Sequence, residues 1–537
     1  MKPVLSCDEV RHLEDLIEKA GTSKAELMEL AGEFAATQVE KLDPKHAVVL
    51  CGFGNNGGDG WVAADILAHK DITVDVVTPV EPDEIPAPLA RHVARRTAGR
   101  GVNVFVGPSR DELEDLIDKA DVVVDAIFGT GFHGELRPPF SIWIPTVNEL
   151  APTVVAVDVP SGLNAQSGKV EDDCIHADVT ATMIAPKIGL YSADAPEYTG
   201  KVVCGELYDH LDEVIDDVDH DAEIVESADL VDYFAPLPAN INKYSRGSVL
   251  VVAGSAAYPG AAIMVAKSAA RAGAGYVGVA APDACANLIR MALPSIPVFN
   301  IPSDSRGAFG AAARMTVCEI AKHYSCVLCG PGITTASGCS QVVSGLLELD
   351  IPLILDADAL NCLSKLAIDG IDETPEMYRR EAPLIMTPHY RELSRLVGGE
   401  EVDDLGSALD AAHRILWAAG SSNLVVVCKG PTTAVAGVER VLLPMHGPSA
   451  LATAGSGDVL AGILAGTVST MGVDESNWEL LCSYAVTVHS YAGYAAAAQY
   501  GERSVIATDL IDLIGDAMQL ASDEAFKELG IGNVSEE

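Results

Sequence analysis

Three aspartates sit where an acid–base group would be useful. Asp458 follows Gly455, Ser456 and Gly457 in ATAGSGDVLAGILAG, residues 452 to 466, the sharpest local signal in the chain. A helix expected to begin near Asp458 would offer free N–H groups at its N-terminus, and such groups form an anion hole. A carboxylate beside the hole can take a proton from a hydroxyl while the hole stabilises a transferring phosphoryl group. No G-x-x-x-x-G-K-[ST] sequence occurs, so P-loop chemistry is not expected. Asp158 closes the apolar run TVVAVD and precedes Val159-Pro160-Ser161-Gly162. A buried strand end suits a carboxyl of raised pKa in general acid–base work, and it equally suits an Asp that caps a turn. Asp59 lies inside CGFGNNGGDG, residues 51 to 60.

That glycine stretch fits the G-x-G-x-x-G pattern of dinucleotide-binding loops at Gly52, Gly54 and Gly57. It departs from a hydride-transfer site in two ways. An acid that binds ribose is expected about 20 residues on, at the end of the next strand; ITVDVVTPV ends in Thr78 and Pro79, with Asp75 inside the run. In addition, Asp59 would face a pyrophosphate unless it met hydroxyls or a cation. The loop therefore reads as a cradle for a phosphate-bearing ligand that does not transfer hydride. Asp125 ends another apolar run, and with Asn56 and Ser161 it could make an oxygen-rich site for a monovalent cation.

The elements that must position these residues alternate along the chain. Residues 1 to about 40 read as helices, with Ser23 and Glu26 at capping-box spacing. HAVVL, ITVDVVT, VNVFVG, DVVVDAI, TVVAVDV and DVTATM then alternate with helical segments, the pattern of a doubly wound parallel sheet. In such a sheet the strands' C-terminal ends share one edge, where ligands bind. CGFGNNGGDG, FGTGFHGEL and VPSGLN should therefore face one crevice. Acids cluster in HLDEVIDDVDHDAEIVESADL, residues 210 to 230, which reads as a solvated linker with a domain boundary near 220. A second series follows: GSVLVVAG, GYVGVAAP, CVLCGPG, PLILDAD, PLIMTPH and LVVVCKG. Its strand ends carry GPG at 330 to 332, DADAL at 356 to 360, TPH at 387 to 389 and CKGPTT at 428 to 433. Lys429 and the two threonines suit a nucleotide's phosphate or ribose, whereas a lone His such as His389 more often satisfies local hydrogen bonds.

Composition bounds the rest. A chain of 537 residues exceeds one typical domain. It carries 77 acidic against 35 basic residues, a net charge of −42, which argues against nucleic acid or an anionic membrane as partner. Such acidity suits solubility at high salt, and equally an ordinary acidic cytosolic protein. The 12 cysteines form no regular framework, so a reduced, cytoplasmic setting is expected. Cys326 and Cys329 lie three apart on a strand and point to opposite faces, so they should not share a metal. MKPVLSCDEVRHLEDL has no apolar signal core, and no apolar run reaches the ~20 residues of a membrane span.

GFGNNGGDG, DAIFGTGF and VDVPSGLN together resemble the N-terminal domain of the bifunctional NAD(P)H-hydrate repair enzymes, over about residues 1 to 215. KYSRG, YPGAA with RAGAG, CGPG, LDADALN, TPH, KGPTT and GSGDVLAG resemble the ADP/ATP-dependent dehydratase domain of the same family, over about residues 228 to 520. The resemblance implies an α/β chain: an N-terminal Rossmann-like αβα domain, residues 1 to 220, followed by a ribokinase-like α/β domain, residues 221 to 537. It implies that Asn55, Asn56, Gly57, Gly58, Asp59 and the loop Gly129, Thr130, Gly131, Phe132, His133, Gly134, Glu135 hold a hydrated NADH or NADPH. Asp158 would be the acid/base group, and a potassium ion would lie near Asn56, Asp125 and Ser161. In the second domain Ala262, Gly332, His389 and Asp458 would contact the hydrate, with Asp458 as base. Lys429, Gly430, Pro431, Thr432, Thr433 and Gly457 would hold ADP or ATP, with magnesium. Two positions depart from the family pattern: Asn242 stands where His is expected before Lys243, and Tyr390-Arg391 where Pro-Gly is expected after His389. The implied work is epimerisation of the R and S hydrates at C6, by loss and return of the hydroxyl, and nucleotide-driven dehydration of the S form. The expected partners are these small molecules and further copies of the chain. A rival reading is a vitamin-precursor kinase with an N-terminal nucleotide-binding domain, which would leave the 51 to 60 and 158 to 164 motifs unexplained. A second rival confines catalysis to the C-terminal half and makes the first domain a ligand-binding or interaction module.

Overall fold

The structure, a computed structural model, describes residues 1–208, 211, 215, 218, 220, 222–366, 380–420, 423–472 and 477–530. Much of the acidic run lies outside the described residues. The chain divides by its internal contacts into two compact units, Lys2–Ala222 and Glu223–Glu537, Met1 falling with the second.

The first unit opens with β1 (Lys2–Val4) and two helices, α1 (Cys7–Ala20) and α2 (Lys24–Glu40). Each helix starts at a reciprocal capping box, Ser6 with Glu9 and Ser23 with Glu26, which satisfies two amides that the first turn leaves without partners. Seven parallel strands follow: β2 (His46–Cys51), β3 (Thr73–Thr78), β4 (Asn103–Val106), β5 (Val122–Ala126), β6 (Val154–Val157), β7 (Val179–Met183) and β8 (Lys201–Gly205). Their order in the sheet is β4-β3-β2-β5-β6-β7-β8. β8 went unread in the sequence, because KVVCG is short and only partly buried. The middle strands are apolar on both faces, as a sheet covered by helices on each side requires. Strand order reverses between β2 and β5, and the crevice of such a sheet opens at that point.

α3 (Asn55–Ala68) corrects one expectation. CGFGNNGGDG reads in the sequence as a loop throughout; instead the helix begins at Asn55, inside the glycine stretch. The reason is packing. A Cβ on Gly57 would lie 2.3 Å from the Gly52 carbonyl oxygen, one on Gly58 2.7 Å from Met28, and one on Gly60 2.5 Å from Ala126. These glycines let α3 press onto the sheet and onto α2.

The second unit's sheet takes β9 (Ala222–Ile224), β10 (Ser248–Val252), β11 (Tyr276–Pro282), β12 (Val298–Ile301), β13 (Cys326–Cys329), β14 (Leu353–Leu355), β15 (Leu384–Met386), β16 (Leu424–Cys428), β17 (Ala434–Ala436) and β18 (Val441–Leu443). They run β9-β18-β17-β16-β15-β14-β13-β10-β11-β12, parallel except for the antiparallel meander β16-β17-β18. β9, inside the run that reads as a linker, and β12, β17 and β18 are short and lie outside the expected strands. Here the order reverses between β10 and β13. The helix Ser456–Met471 lies against the helix Pro259–Arg271 along small residues: a Cβ on Gly462 would come 2.5 Å from Ser268, and one on Gly466 2.7 Å from the Ala269 carbonyl. No described helix is long and apolar enough to cross a membrane. All twelve cysteines are free, and all but Cys204 and Cys318 are buried.

Candidate active sites

In the first unit the reversal point holds a cavity of about 780 Å³. Its walls bring together Asn55, Asn56 and Asp59 from the start of α3, residues 129 to 133 from the loop after β5, and Asp158 from the end of β6. Gly57, Gly58, Gly134 and Glu135 were grouped with these and do not line it. Gly57 is buried against Gly52 and Gly58 against Met28 of α2, and Glu135 is exposed. The two loops are pressed together at Gly52, where an added Cβ would stand 1.8 Å from the Ile127 carbonyl oxygen.

Asp158 follows β6 at φ 68, a left-handed backbone that is uncommon outside glycine and clusters at functional sites. Its partner is a residue the sequence reading passed over. Lys187 is buried and donates from Nζ to Asp158 Oδ1 at 2.5 Å, to Thr182 Oγ1 at 3.0 Å and to the Met183 carbonyl at 2.9 Å. Asp59 lines the same cavity. Burial pushes it well above the usual carboxylate range, and the negative charges of Asp158 and Glu14 add to this. Phe128 and Phe132 stack at 4.6 Å on the cavity wall, an apolar face that could take a planar ring.

Below the cavity floor lies a knot of oxygen atoms. Asp125 is fully buried, accepting from Ser161 Oγ at 2.6 Å, from the Ser161 amide at 2.7 Å and from the Ile127 amide at 3.2 Å. Burial nevertheless pushes its carboxyl up to about 6. Asn56 donates through Nδ2 to the Phe128 carbonyl at 2.8 Å, and its own Oδ1 is buried without a partner. Hard oxygens around a buried carboxylate, with one oxygen orphaned, fit a monovalent cation.

In the second unit the helix Ser456–Met471 begins at Ser456, two residues before the expected start, because Gly455 takes the left-handed cap at φ 92. Gly457 and Asp458 therefore fall in the first turn, whose amides lack helical acceptors. Lys429 links the strand ends. Its Nζ donates to Asp356 Oδ1 at 2.7 Å, Thr387 Oγ1 donates to the same oxygen at 2.7 Å, and a Cβ on Gly457 would lie 3.4 Å from that Nζ. Burial lowers Lys429, but Asp356 and Glu392 outweigh it and hold the ammonium above its ordinary value. Burial pushes Asp458 up to about 7, with Asp356 adding and Lys429 opposing.

His389 is partly structural, as a lone His often is. It caps the helix Tyr390–Leu396, its Nδ1 accepting from the amides of Arg391 at 3.1 Å and Glu392 at 3.3 Å. That leaves the proton on Nε2, which lies 3.5 Å from Glu392 Oε1. Tyr390 packs its ring over Gly430, where a Cβ would meet the phenol oxygen at 2.2 Å. Gly430, Pro431, Thr432 and Thr433 form the turn from β16 to β17, with Thr432 buried. At the reversal point the Gly254 amide donates to the Pro331 carbonyl at 2.8 Å, joining the loop that leads into the helix of Ala262 to the loop that carries Gly332. Ala262 packs inward against Gly254, and Gly332 takes φ 67 beside Tyr258. Asp356, Thr387 and Glu392 had no role assigned from sequence; Asp356 was visible only as part of DADAL.

Two family profiles match the chain: "YjeF-related protein N-terminus" over residues 14–189, and "NAD(P)H-hydrate dehydratase" over residues 249–515. A bifunctional NAD(P)H-hydrate repair enzyme of Salinibacter ruber is 35% identical over 93% of this chain and 92% of its own length. The chain belongs to the family of bifunctional NAD(P)H-hydrate repair enzymes. Another member, from Coxiella burnetii, is 32% identical over 94% of this chain and 96% of its own. Among solved structures, the ADP/ATP-dependent NAD(P)H-hydrate dehydratase of Bacillus subtilis, crystallised with ATP and Mg2+, is 25% identical, covering 55% of this chain and 97% of that one at a TM-score of 0.46.

Proposed function

We propose that this repair enzyme divides its work between its two units. The first, residues 2–222, interconverts the R and S hydrates of NADH and NADPH at C6. The second, residues 223–537, dehydrates the S form with ADP or ATP. The observation that carries this reading is a carboxylate at each site, Asp158 at a strand end and Asp458 in a helix's first turn, with a lysine acting on each: Lys187 donates to Asp158, and Lys429, paired with Asp356, opposes the rise of the Asp458 carboxyl.

In the first unit the helix start at Asn55 and the 129 to 133 loop hold the dinucleotide, and Phe128 and Phe132 face its ring. Asp158 moves the proton at the C6 hydroxyl. Asn56, Asp125, Ser161 and the Phe128 carbonyl would hold K+, which would supply the positive charge that buried Asp125 otherwise lacks. In the second unit Asp458 takes the proton of the C6 hydroxyl, while the first-turn amides at Gly457 and the Lys429 ammonium face the transferring phosphoryl group. Phosphorylation turns a poor leaving group into a good one, and its elimination restores the dihydropyridine. Magnesium would come with the nucleotide's phosphates.

The test is to add the protein, Mg2+ and ADP or ATP to mixed NADHX epimers and follow the absorbance of reduced nicotinamide. Complete recovery is expected. Half recovery with a slow tail would remove the epimerase half, and a stable phosphorylated product would favour a kinase.

A further inference from the structure

Lys187 spends all three of its N–H donors inside the protein. One goes to Asp158 Oδ1, one to Thr182 Oγ1 and one to the Met183 carbonyl. Thr182 in turn donates to the same Asp158 oxygen at 3.4 Å, closing a triangle around Oδ1. The ammonium is almost wholly buried, with 2% of the side chain exposed against 17% for Asp158. A lysine buried so completely is rare unless it is paired. Its three acceptors hold it on one side of the carboxylate.

The other carboxylate oxygen has different surroundings. Oδ2 faces the loop after β5 at Gly129, where an added Cβ would lie 3.3 Å away. No hydrogen bond from the described residues reaches it. Gly129 carries no side chain, so a ligand in the cavity can approach Oδ2 directly. The left-handed backbone at Asp158 turns the side chain into this position, and the Asp158 N–H, donating to the Ala181 carbonyl at 2.8 Å, fixes the turn.

We infer that Lys187 is a positioning residue of the epimerisation: it clamps Oδ1 of Asp158 and leaves Oδ2 as the oxygen that gives the proton to the departing hydroxyl and takes it back. This rests on reading the first unit as the epimerase. In the forward transfer the acid on Oδ2 gives its proton to the C6 hydroxyl as the C6–O bond breaks; the bond's electron pair leaves on the oxygen as water, the ring-nitrogen lone pair stabilises the cation at C6, and water can return to either face while its proton goes back to Oδ2. The return transfer restores both groups. Lys187 neither gives nor takes a proton in this cycle.

The experiment measures epimerisation of purified R-NADHX by the full chain carrying Lys187→Met, Lys187→Arg, Lys187→Ala, Asp158→Asn or Lys187→Met with Asp158→Asn. The unsubstituted chain is assayed first. If it does not epimerise above the spontaneous rate, the reading of the unit fails, independently of Lys187. Given that activity, Lys187→Met is expected to lower kcat about 100-fold or more, the usual scale of general acid–base catalysis, with KM within about 3-fold. The double variant is expected to be no slower than Asp158→Asn, since both changes disable one device. Lys187→Arg is expected to keep part of the rate, and propylammonium added to Lys187→Ala to restore at least about 10-fold, a rescue that lost packing would not show. Full activity in Lys187→Met, a multiplicative loss in the double variant, or no rescue by the amine would each overturn the inference.

Discussion

Asp458 ties function to stability at the level of one side chain. Its carboxyl is pushed from an ordinary 3.8 up to about 7. The folded chain therefore holds this proton more tightly than the unfolded chain does. The corresponding stability is present below about pH 4 and is lost as pH rises through about 7. Catalysis needs the opposite state, because only the carboxylate can act as base. Dehydration, followed as kcat/KM, is expected to rise with pH through about 7. Asp458→Asn should slow dehydration by roughly 10²–10⁴-fold. By calorimetry at pH 8 it should melt roughly 2 °C higher, the response to about 1 kcal/mol in a domain of this size, and show no such gain at pH 4. In the other unit, exchanging K+ for tetramethylammonium, too large for the Asp125 site, is expected to lower the melting temperature and reduce epimerisation. Asp125→Asn should abolish the difference between the two cations. Sequence showed these acids because each closes a recognisable loop. It did not show Lys187, which lies 29 positions from Asp158 in an apolar stretch and meets it only through the adjacency of β6 and β7. Asp356 and Glu392 escaped assignment for the same reason: what matters about them is Lys429, supplied by a different strand.

At the scale of elements, the glycine patterns were legible while their purpose was not. The central strands and the crevice edge follow from apolar runs ending in glycine loops, and the structure places them so. The starts of the two key helices do not follow, because periodicity sees side chains and glycine has none. Gly57, Gly58 and Gly60 lie within α3, where they set its distance from the sheet. Gly462 sets the distance between the helix bearing Asp458 and the helix Pro259–Arg271. Gly462→Val is expected to destabilise the second unit by about 1–3 kcal/mol in urea unfolding, because its Cβ would overlap Ser268. It should also reduce dehydration without touching the substrate, since the helix start would shift. If stability held within about 0.5 kcal/mol, the close seam would not matter. The missed strands are all short, and hairpin turns or edge positions rather than a hydrophobic period define them.

For the whole molecule, charge dominates. A net of −42 on 537 residues means that the folded chain repels itself at low ionic strength. Raising NaCl from about 0.01 M to 1 M shortens the screening length from about 30 Å to about 3 Å. The melting temperature is expected to rise over that range, and a flat response would show that the acids are spaced widely enough not to matter. The same surface should slow the encounter with NADPHX and ADP, both anions, so KM for each is expected to fall as salt rises from its lowest values.

The thiols offer something else. Ten of twelve lie in the interior, and burial raises those of Cys326, Cys428 and Cys482 in the strands and helices of the second unit. A thiol that is both shielded and protonated reacts with an alkylating reagent only when its surroundings open. The chain thus carries built-in clocks. Mass shifts at Cys51 would time the opening of the first unit, and those at Cys428 the opening of the second, each without any introduced label.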